Sequence, residues 1–116
     1  MNKLSVIIPA RNEADNLNEC ISAISKELID QSIDFEILII DDGSTDNTIN
    51  VIKETSQSIP KVKFIRNEEE NGFGRAVCLG LENFTGDAVA IMMADRSDSP
   101  KDLVSYWKCI QDGNDC

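Results

Sequence analysis

The chain has 116 residues, enough for one α/β domain near the lower end of the size range of that class. Its hydrophobic content of 41%, with only 5% aromatic residues, predicts an aliphatic core. The formal net charge of −10 argues against a nucleic-acid partner, because phosphate binding relies on Lys and Arg.

The cysteine and histidine content argues against a zinc site. The four cysteines lack CxxC spacing and the chain contains no histidine, so a zinc site is not expected. Cys20 and Cys78 fall on apolar helical faces and are predicted to be buried. No signal peptide and no apolar run of about eighteen residues is visible, which predicts a cytoplasmic protein with reduced thiols.

The first predicted unit is a strand followed by a helix. Residues 4–8 (LSVII) form a β-branched run that ends at Pro9, which is typical of a buried strand. Asn12, with Asp15 three residues later, is expected to begin the helix by accepting from the open amides of its first turn. The apolar stripe of this helix consists of Leu17, Cys20, Ile21, Ile24 and Leu28.

The second unit repeats this arrangement. Residues 35–40 predict a strand that leads directly into a pair of carboxylates. Ser44 or Asp46 is expected to cap the following helix, and Pro60 is expected to end it. The core face of this helix is predicted to contain Ile49, Ile52 and Ile59.

Two further units follow. Residues 62–65 (VKFI) predict a shorter and less buried strand, because Lys63 alternates with apolar neighbours. A glycine-rich stretch then opens a helix whose apolar face is expected to consist of Phe73, Ala76, Val77, Gly80, Leu81 and Phe84. Residues 88–93 predict the fourth strand, and Pro100, between a capping Ser and Asp102, predicts the start of the fourth helix. The packing face of that helix is expected to contain Leu103, Val104, Trp107 and Ile110.

Strand and helix thus alternate four times in the sequence. A helix in each connection predicts parallel strands joined by right-handed crossovers. Ligands bind at the carboxyl ends of the strands in such open sheets. A dinucleotide-binding dehydrogenase is not expected, because no glycine fingerprint follows the first strand.

Two adjacent carboxylates, Asp41 and Asp42, follow the second strand within residues 38–47 (LIIDDGSTDN). Successive strand residues point to opposite faces, so one carboxylate is expected to face a pocket and the other to brace the loop. A carboxylate in the pocket accepts from a nucleobase imide or a ribose hydroxyl. The alternative is that both only cap the helix that begins near Ser44.

A second acidic strand end lies within residues 88–98 (AVAIMMADRSD). Asp95 and Asp98 suit a hard divalent cation, which prefers oxygen ligands and would stabilise a departing diphosphate. Asp98 also lies beside the fourth helix start, where a carboxylate alone favours the positive helix end. Two acidic strand ends predict one shared pocket.

Arg75 follows Gly72-Phe73-Gly74, a stretch that is neither a Walker loop nor a GxGxxG fingerprint. In the first turn of its helix, Arg75 is placed to donate to a phosphate. The alternative is a solvated side chain that balances the acidic residues 68–70.

Four ordered blocks, LSVIIPARNE, EILIIDDGSTDNT, NGFGRAVCLGL and GDAVAIMMADRSDSP, resemble those of family 2 glycosyltransferases of the GT-A fold. The likeness is greatest to the dolichyl- or polyprenyl-phosphate sugar transferases. It spans the whole chain and corresponds to the nucleotide-binding half of such an enzyme. It implies a Rossmann-like parallel α/β sheet with helices on both faces and strand order 3-2-1-4. Residues 1–116 would then form one nucleotide-sugar-binding part, without the acceptor half.

The resemblance assigns binding roles to single positions. Pro9, Ala10 and Glu13 match residues that line the nucleotide pocket. Asp41 matches the acid that contacts the base. Arg75 matches a basic or polar position in the glycine-rich block.

The resemblance also implies a Mg²⁺ or Mn²⁺ site. Asp95 matches the last acid of the DxD-type motif and is the expected catalytic residue; Ser97 matches a position that adds a ligand in some members, and Asp98 is the further candidate ligand. Two positions depart from the family pattern: Arg11 replaces a frequent tyrosine, and Met93 replaces the first acid of the motif. A thioether is a poor ligand for these ions, so weaker or altered metal dependence is expected.

The implied reaction transfers a sugar from a nucleoside-diphosphate sugar to a lipid-phosphate or sugar acceptor. A polyprenyl or dolichyl phosphate is ionised near neutral pH and needs no general base, whereas a sugar hydroxyl needs a positioned carboxylate. The full-length protein would then associate with the cytoplasmic membrane face, and this chain alone would have little activity.

Two other functions remain open at this point. A non-catalytic nucleotide-binding or interaction module is favoured by Met93 and the short length. A phospho-receiver domain also places acids at strand ends. It is disfavoured because the acidic pair follows the second strand and no fifth strand is predicted.

Overall fold

A computed structural model of the chain describes residues 3–45, 47–67, 72–93 and 100–111. Four strands and four helices alternate along it, as predicted. They are β1 (Lys3–Ala10), α1 (Ala14–Asp30), β2 (Asp34–Asp41), α2 (Thr48–Ser58), β3 (Val62–Arg66), α3 (Phe73–Asn83), β4 (Ala88–Ile91) and α4 (Pro100–Gln111). Among the described residues, no helix is both long and apolar enough to cross a membrane.

The strands form one parallel sheet in the order β3-β2-β1-β4, which confirms the predicted topology. Ala10 pairs with Asp41, and Asp41 pairs with Arg66, so β1, β2 and β3 end side by side. We call this end of the sheet the carboxyl edge. β4 ends earlier than the predicted residue 93, since its last residue, Ile91, pairs with Ile7.

The core has two parts, one on each face of the sheet. The larger part packs α1, α2 and α4 against one face, and the smaller part packs α3 against the other. This confirms helices on both faces. β1 and β2 are buried on both sides, which is why their sequences are continuous apolar runs, whereas β3 is more exposed, as predicted.

Pro9 lies inside β1 and does not end it, so the predicted boundary at residue 8 is wrong. The backbone N–H and carbonyl groups of the odd-numbered residues of β1 point toward β4, as the bond from the Met92 N–H to the Ile7 carbonyl shows. β4 ends at Ile91, so within the described residues no strand lies opposite the nitrogen of Pro9. The missing N–H therefore removes no bond from the sheet ladder.

The helix caps predicted at Asn12 and at Ser44 are wrong. Asn12 does not cap α1: Glu13 occupies the cap position, without a side-chain cap bond, and Asn12 has a left-handed φ of 55°. α2 begins only at Thr48, so Ser44 does not cap it, and Asp46 lies outside the described residues. The side chains of Asn12 and Ser44 instead bond between two loops, as described below.

The face of α3 is narrower than predicted. Ala76 and Gly80 are buried against the sheet, but Leu81 is 42% exposed. A Cβ at Gly80 would lie 2.6 Å from the Cγ2 atom of Ile7, so glycine is required for this close approach. On α4, the predicted packing residues Leu103, Val104 and Trp107 are buried.

The cysteines differ from prediction at two positions. Cys20 is buried, as predicted, but Cys78 is exposed because it lies beside the buried stripe of α3. Cys109 is disulfide-bonded, so the expectation of four reduced thiols is wrong. Spacing along the sequence carries no information on the distance between two sulfur atoms.

Candidate functional site

The ends of β1 and β2 form the centre of the carboxyl edge. Pro9 and Ala10 are buried at the end of β1, and the Ala10 carbonyl accepts from the Asp42 N–H at 2.8 Å. Ala10 and Asp41 are register partners. The structure therefore brings three of the predicted binding residues, Pro9, Ala10 and Asp41, to one place.

Asp41 is fully buried, and its two carboxylate oxygens have different surroundings. Oδ1 accepts from the Ser44 N–H at 3.2 Å and so braces the turn after β2. Oδ2 has no hydrogen-bond partner among the described residues and lies 3.9 Å from Nε of Arg66, whose side chain is half exposed. A buried acceptor without a donor is costly, and such atoms in native proteins call for an explanation. Oδ2 is the acceptor at this edge that a ligand could satisfy.

The carboxylate of Asp42 has other partners than that of Asp41. The Asp42 carboxylate accepts from Asn67 Nδ2 at 3.0 Å and from the Gly72 N–H at 3.0 Å. These bonds fasten the residue after β3 and the start of α3 to the end of β2. Because α2 begins at Thr48, the alternative that both acids only cap that helix is wrong.

The loop after β1 is bonded to the loop after β2. The Asn12 N–H donates to Ser44 Oγ at 3.0 Å, and the Thr45 N–H donates to Asn12 Oδ1 at 2.8 Å. The Glu13 N–H donates to Thr48 Oγ1 at 3.0 Å. Glu13 is thus held beside the carboxyl edge through its backbone.

The side chain of Glu13, another predicted binding residue, is half-buried. Its Oε2 accepts from Asn16 Nδ2 at 3.1 Å, one turn along α1. The carboxylate is therefore directed along the helix in this structure.

Comparison with known proteins identifies the family. Residues 5–116 match the family described as Glycosyl transferase family 2. The chain belongs to this family. Membership contradicts the phospho-receiver alternative.

This family 2 chain is 38% identical over 113 residues to the dolichol-phosphate mannosyltransferase of Pyrococcus furiosus, and the alignment covers 97% of the chain and 31% of that protein. The chain spans about a third of the length of the curated relatives it matches.

Solved structures share its fold. A mannosyltransferase from Pyrobaculum calidifontis, in complex with GDP-Man and Mn²⁺, gives a TM-score of 0.71 at 26% identity, over 81% of this chain and 28% of that one. TarS 1-349 of S. aureus, in complex with UDP-GlcNAc, gives a TM-score of 0.78 at 24% identity, and the match covers 95% of this chain and 31% of that one. The latter likeness concerns the fold alone. The predicted Rossmann-like, GT-A type of arrangement is confirmed.

Arg75 lies in the first turn of α3 and is exposed. The Gly72 N–H just before α3 is fixed to Asp42, so the start of this helix is anchored to the carboxyl edge. The alternative partners of Arg75, residues 68–70, lie outside the described residues. Arg11, which replaces the tyrosine frequent in the family, is exposed.

The predicted metal ligands Asp95, Ser97 and Asp98 lie outside the described residues. In the part of the chain that is described, no group of three or more Cys, Asp or Glu side chains could hold a metal ion. Two carboxylates and a hydroxyl fit the preference of Mg²⁺ and Mn²⁺ for oxygen, whereas the Met93 thioether does not. The Met93 carbonyl is itself engaged, accepting from Cys20 Sγ at 3.7 Å.

Sequence reasoning missed three contributors to this edge: Arg66, Asn12 as a link between loops, and Asn67. Arg66 meets Asp41 only through the strand register. A polar residue at or just after the end of a strand that neighbours β2 is the signal that points to Arg66 and Asn67. Asn12 carries no comparable signal, because a cap and a loop link use the same residue type.

Proposed function

We propose that this chain is the nucleotide-sugar-binding part of a glycosyltransferase. The reaction transfers a glycosyl group from a nucleoside-diphosphate sugar to an acceptor, and a polyprenyl-type lipid phosphate is the acceptor that we favour. Family membership supports glycosyl transfer, and the dolichol-phosphate mannosyltransferase relative supports the acceptor class. The observation that carries the proposal is the buried Oδ2 of Asp41 at the carboxyl edge, which has no donor among the described residues.

Asp41 Oδ2 accepts a hydrogen bond from an imide N–H of the base or from a ribose hydroxyl. Asp41 is fully buried, so the ligand reaches this oxygen when the half-exposed Arg66 side chain turns away. Pro9 and Ala10 supply an apolar wall next to it, and Glu13 lies at the mouth of the same site. A charged acceptor in a buried place strengthens such a bond.

The diphosphate lies toward α3 in this proposal. Arg75 is an exposed cation in the first turn of that helix, where the helix dipole also favours an anion. The chain carries a net charge of −10, so an anionic ligand requires such local positive groups.

Asp95, with Ser97 and Asp98, would hold Mg²⁺ or Mn²⁺, which when bound neutralises the charge of the departing diphosphate. The complex of the Pyrobaculum calidifontis mannosyltransferase with Mn²⁺ supports a divalent ion. An ionised lipid-phosphate acceptor attacks the anomeric carbon without a general base. Membrane-surface association of the full-length protein and a location on the cytoplasmic side belong to the same proposal.

The test is a thermal-shift panel of UDP-, GDP- and dTDP-sugars with and without Mn²⁺, since a ligand that binds only the folded state raises its melting temperature. At least one nucleotide is expected to stabilise the chain. Asp41→Asn is expected to weaken that binding about 10- to 100-fold, the loss of one charged hydrogen bond. Asp34→Asn is the control, because Asp34 is exposed at the opposite end of β2. No stabilisation by any of the nucleotides, or equal binding by the Asp41 variant, would contradict the proposal.

A non-catalytic nucleotide-binding module is the second candidate, and Met93 favours it because a thioether replaces the first acid of the motif. Calorimetric titration of Mg²⁺ and Mn²⁺ in the presence of the nucleotide separates the two candidates. Metal binding that is lost in Asp95→Asn supports the transferase. Nucleotide binding that is independent of metal, with no sugar transfer or hydrolysis, supports the module.

A further inference from the structure

Asn12 has a left-handed backbone, with a φ of 55°. Asparagine tolerates this conformation better than most residues, but it is still less favourable than a right-handed one. The conformation persists because Asn12 is bonded to the loop after β2: its N–H donates to Ser44 Oγ, and its Oδ1 accepts from the N–H and the Oγ1 hydroxyl of Thr45.

Ser44 connects this link to the site. Its Oγ accepts from Asn12 at 3.0 Å, while its own N–H donates to Asp41 Oδ1 at 3.2 Å. One residue thus joins Asn12 to the buried carboxylate. Because Ser44 occupies Oδ1, the second oxygen of Asp41 is the one left without a partner among the described residues.

The geometry points to Asn12 as a positioning residue of the nucleotide site. It locks the loop between β1, which ends in Pro9 and Ala10, and Glu13 at the start of α1 onto the turn that orients Asp41, so that the site is assembled before the ligand arrives. This inference rests on the proposed function. A preformed site binds more tightly because the ordering of its loops has already taken place.

Asn12→Gly is the variant that separates the side chain from the backbone. Glycine adopts the left-handed conformation without strain and keeps the backbone N–H, while the substitution removes the side chain with its Oδ1 acceptor. Ser32→Gly is the matched control: Ser32 is the other described non-glycine residue with a positive φ, 57°, and it lies before β2 at the end opposite the site.

The affinity for the nucleoside diphosphate that binds best in the panel is measured by calorimetry, beside the melting temperature and the exchange rate of the Thr45 amide. Asn12→Gly is expected to bind about tenfold more weakly. Its melting temperature should stay close to that of the unmodified chain, because relief of backbone strain offsets the lost bond. The Thr45 amide should exchange at least about tenfold faster. Ser32→Gly should leave affinity and exchange unchanged.

Equal affinity of Asn12→Gly and the unmodified chain would overturn the inference, and so would an unchanged Thr45 exchange rate. A fall in affinity that merely follows a lower melting temperature would reduce Asn12 to a structural role and also overturn it. If the unmodified chain binds no nucleotide, the proposed function itself fails. That outcome is distinct from binding that does not depend on Asn12.

Discussion

Two buried carboxylates on β2, five residues apart in sequence, differ in how their oxygens are paired. Glu36 is 3% exposed, and its Oε2 accepts from Ser5 Oγ at 2.6 Å and from the Thr85 N–H at 2.7 Å, while Lys63 Nζ reaches Oε1 at 3.4 Å. Asp41 is equally buried, but one of its oxygens has no donor among the described residues. A carboxylate with both oxygens paired stabilises the fold, whereas one with an unpaired oxygen is available to a ligand.

The surroundings of Glu36 show how a buried charge is compensated. Burial alone would raise the pKa of Glu36. Bonds from Ser5 and Thr85, together with the charge of Lys3, outweigh burial and lower the pKa from 4.5 to about 2. The Gly86 N–H donates to Ser5 Oγ at 2.8 Å, so the turn before β4 is fastened to the same group. This cluster joins β1, β2, β3 and that turn.

The largest expected effect is that of Glu36→Ala. The substitution leaves Ser5 Oγ, the Thr85 N–H and the Lys63 ammonium without their acceptor, and we expect a loss of about 3–5 kcal/mol in the free energy of unfolding. Chemical denaturation measures it. Glu36→Gln, which keeps the volume and one acceptor, should lose less. A loss below about 1 kcal/mol for the alanine variant would show that the cluster is not a stability centre.

The second prediction concerns pH. The pKa of Glu36 is lower in the folded chain than in the unfolded one, so its contribution is complete above about pH 4.5 and is lost as the pH falls toward 2. A shift from 4.5 to about 2 corresponds to roughly 3 kcal/mol. Unfolding free energies measured from pH 7 to about 2.5 should show that the gap between the unmodified chain and Glu36→Gln narrows with acid. A difference in unfolding free energy that does not change with pH would contradict the lowered pKa of Glu36.

Asp41→Asn is expected to change the free energy of unfolding by no more than about 1 kcal/mol, although Asp41 is as buried as Glu36. Asparagine keeps an oxygen for the Ser44 N–H, and the ion pair with Arg66 that the substitution removes is long, at 3.9 Å. The same denaturation experiment measures this. A loss of unfolding free energy as large as that of Glu36→Ala would show that Asp41 stabilises the fold as Glu36 does, and the contrast between the two acids would then be wrong.

The smallest effect is expected for Arg66→Gln. The Arg66 side chain is half exposed and makes no hydrogen bond to Asp41 at 3.9 Å, so stability should change by less than about 0.5 kcal/mol. Nucleotide affinity should be retained within about threefold, because the side chain turns away when the ligand binds. A tenfold loss of affinity in calorimetry would instead make Arg66 a ligand contact.

The sequence by itself determined the alternation of strands and helices, the parallel sheet and the acids at the strand ends. These features follow from local periodicity and from the residue types that a doubly covered sheet requires. The family resemblance added the strand order. Local sequence patterns locate each strand and helix along the chain, and here they placed Asp41 at the end of β2 correctly.

Only the tertiary structure decided which partner each polar group takes. Asn12 has the composition of a helix cap, yet its side chain bonds to Thr45, 33 residues away. Pro9 fits inside β1 because β4 is short, and Glu36 is satisfied by donors from distant elements. Strand register and loop contacts bring these groups together, and neither is encoded in any local pattern. The physical reason is that a hydrogen bond depends on a distance in space, which sequence separation does not specify.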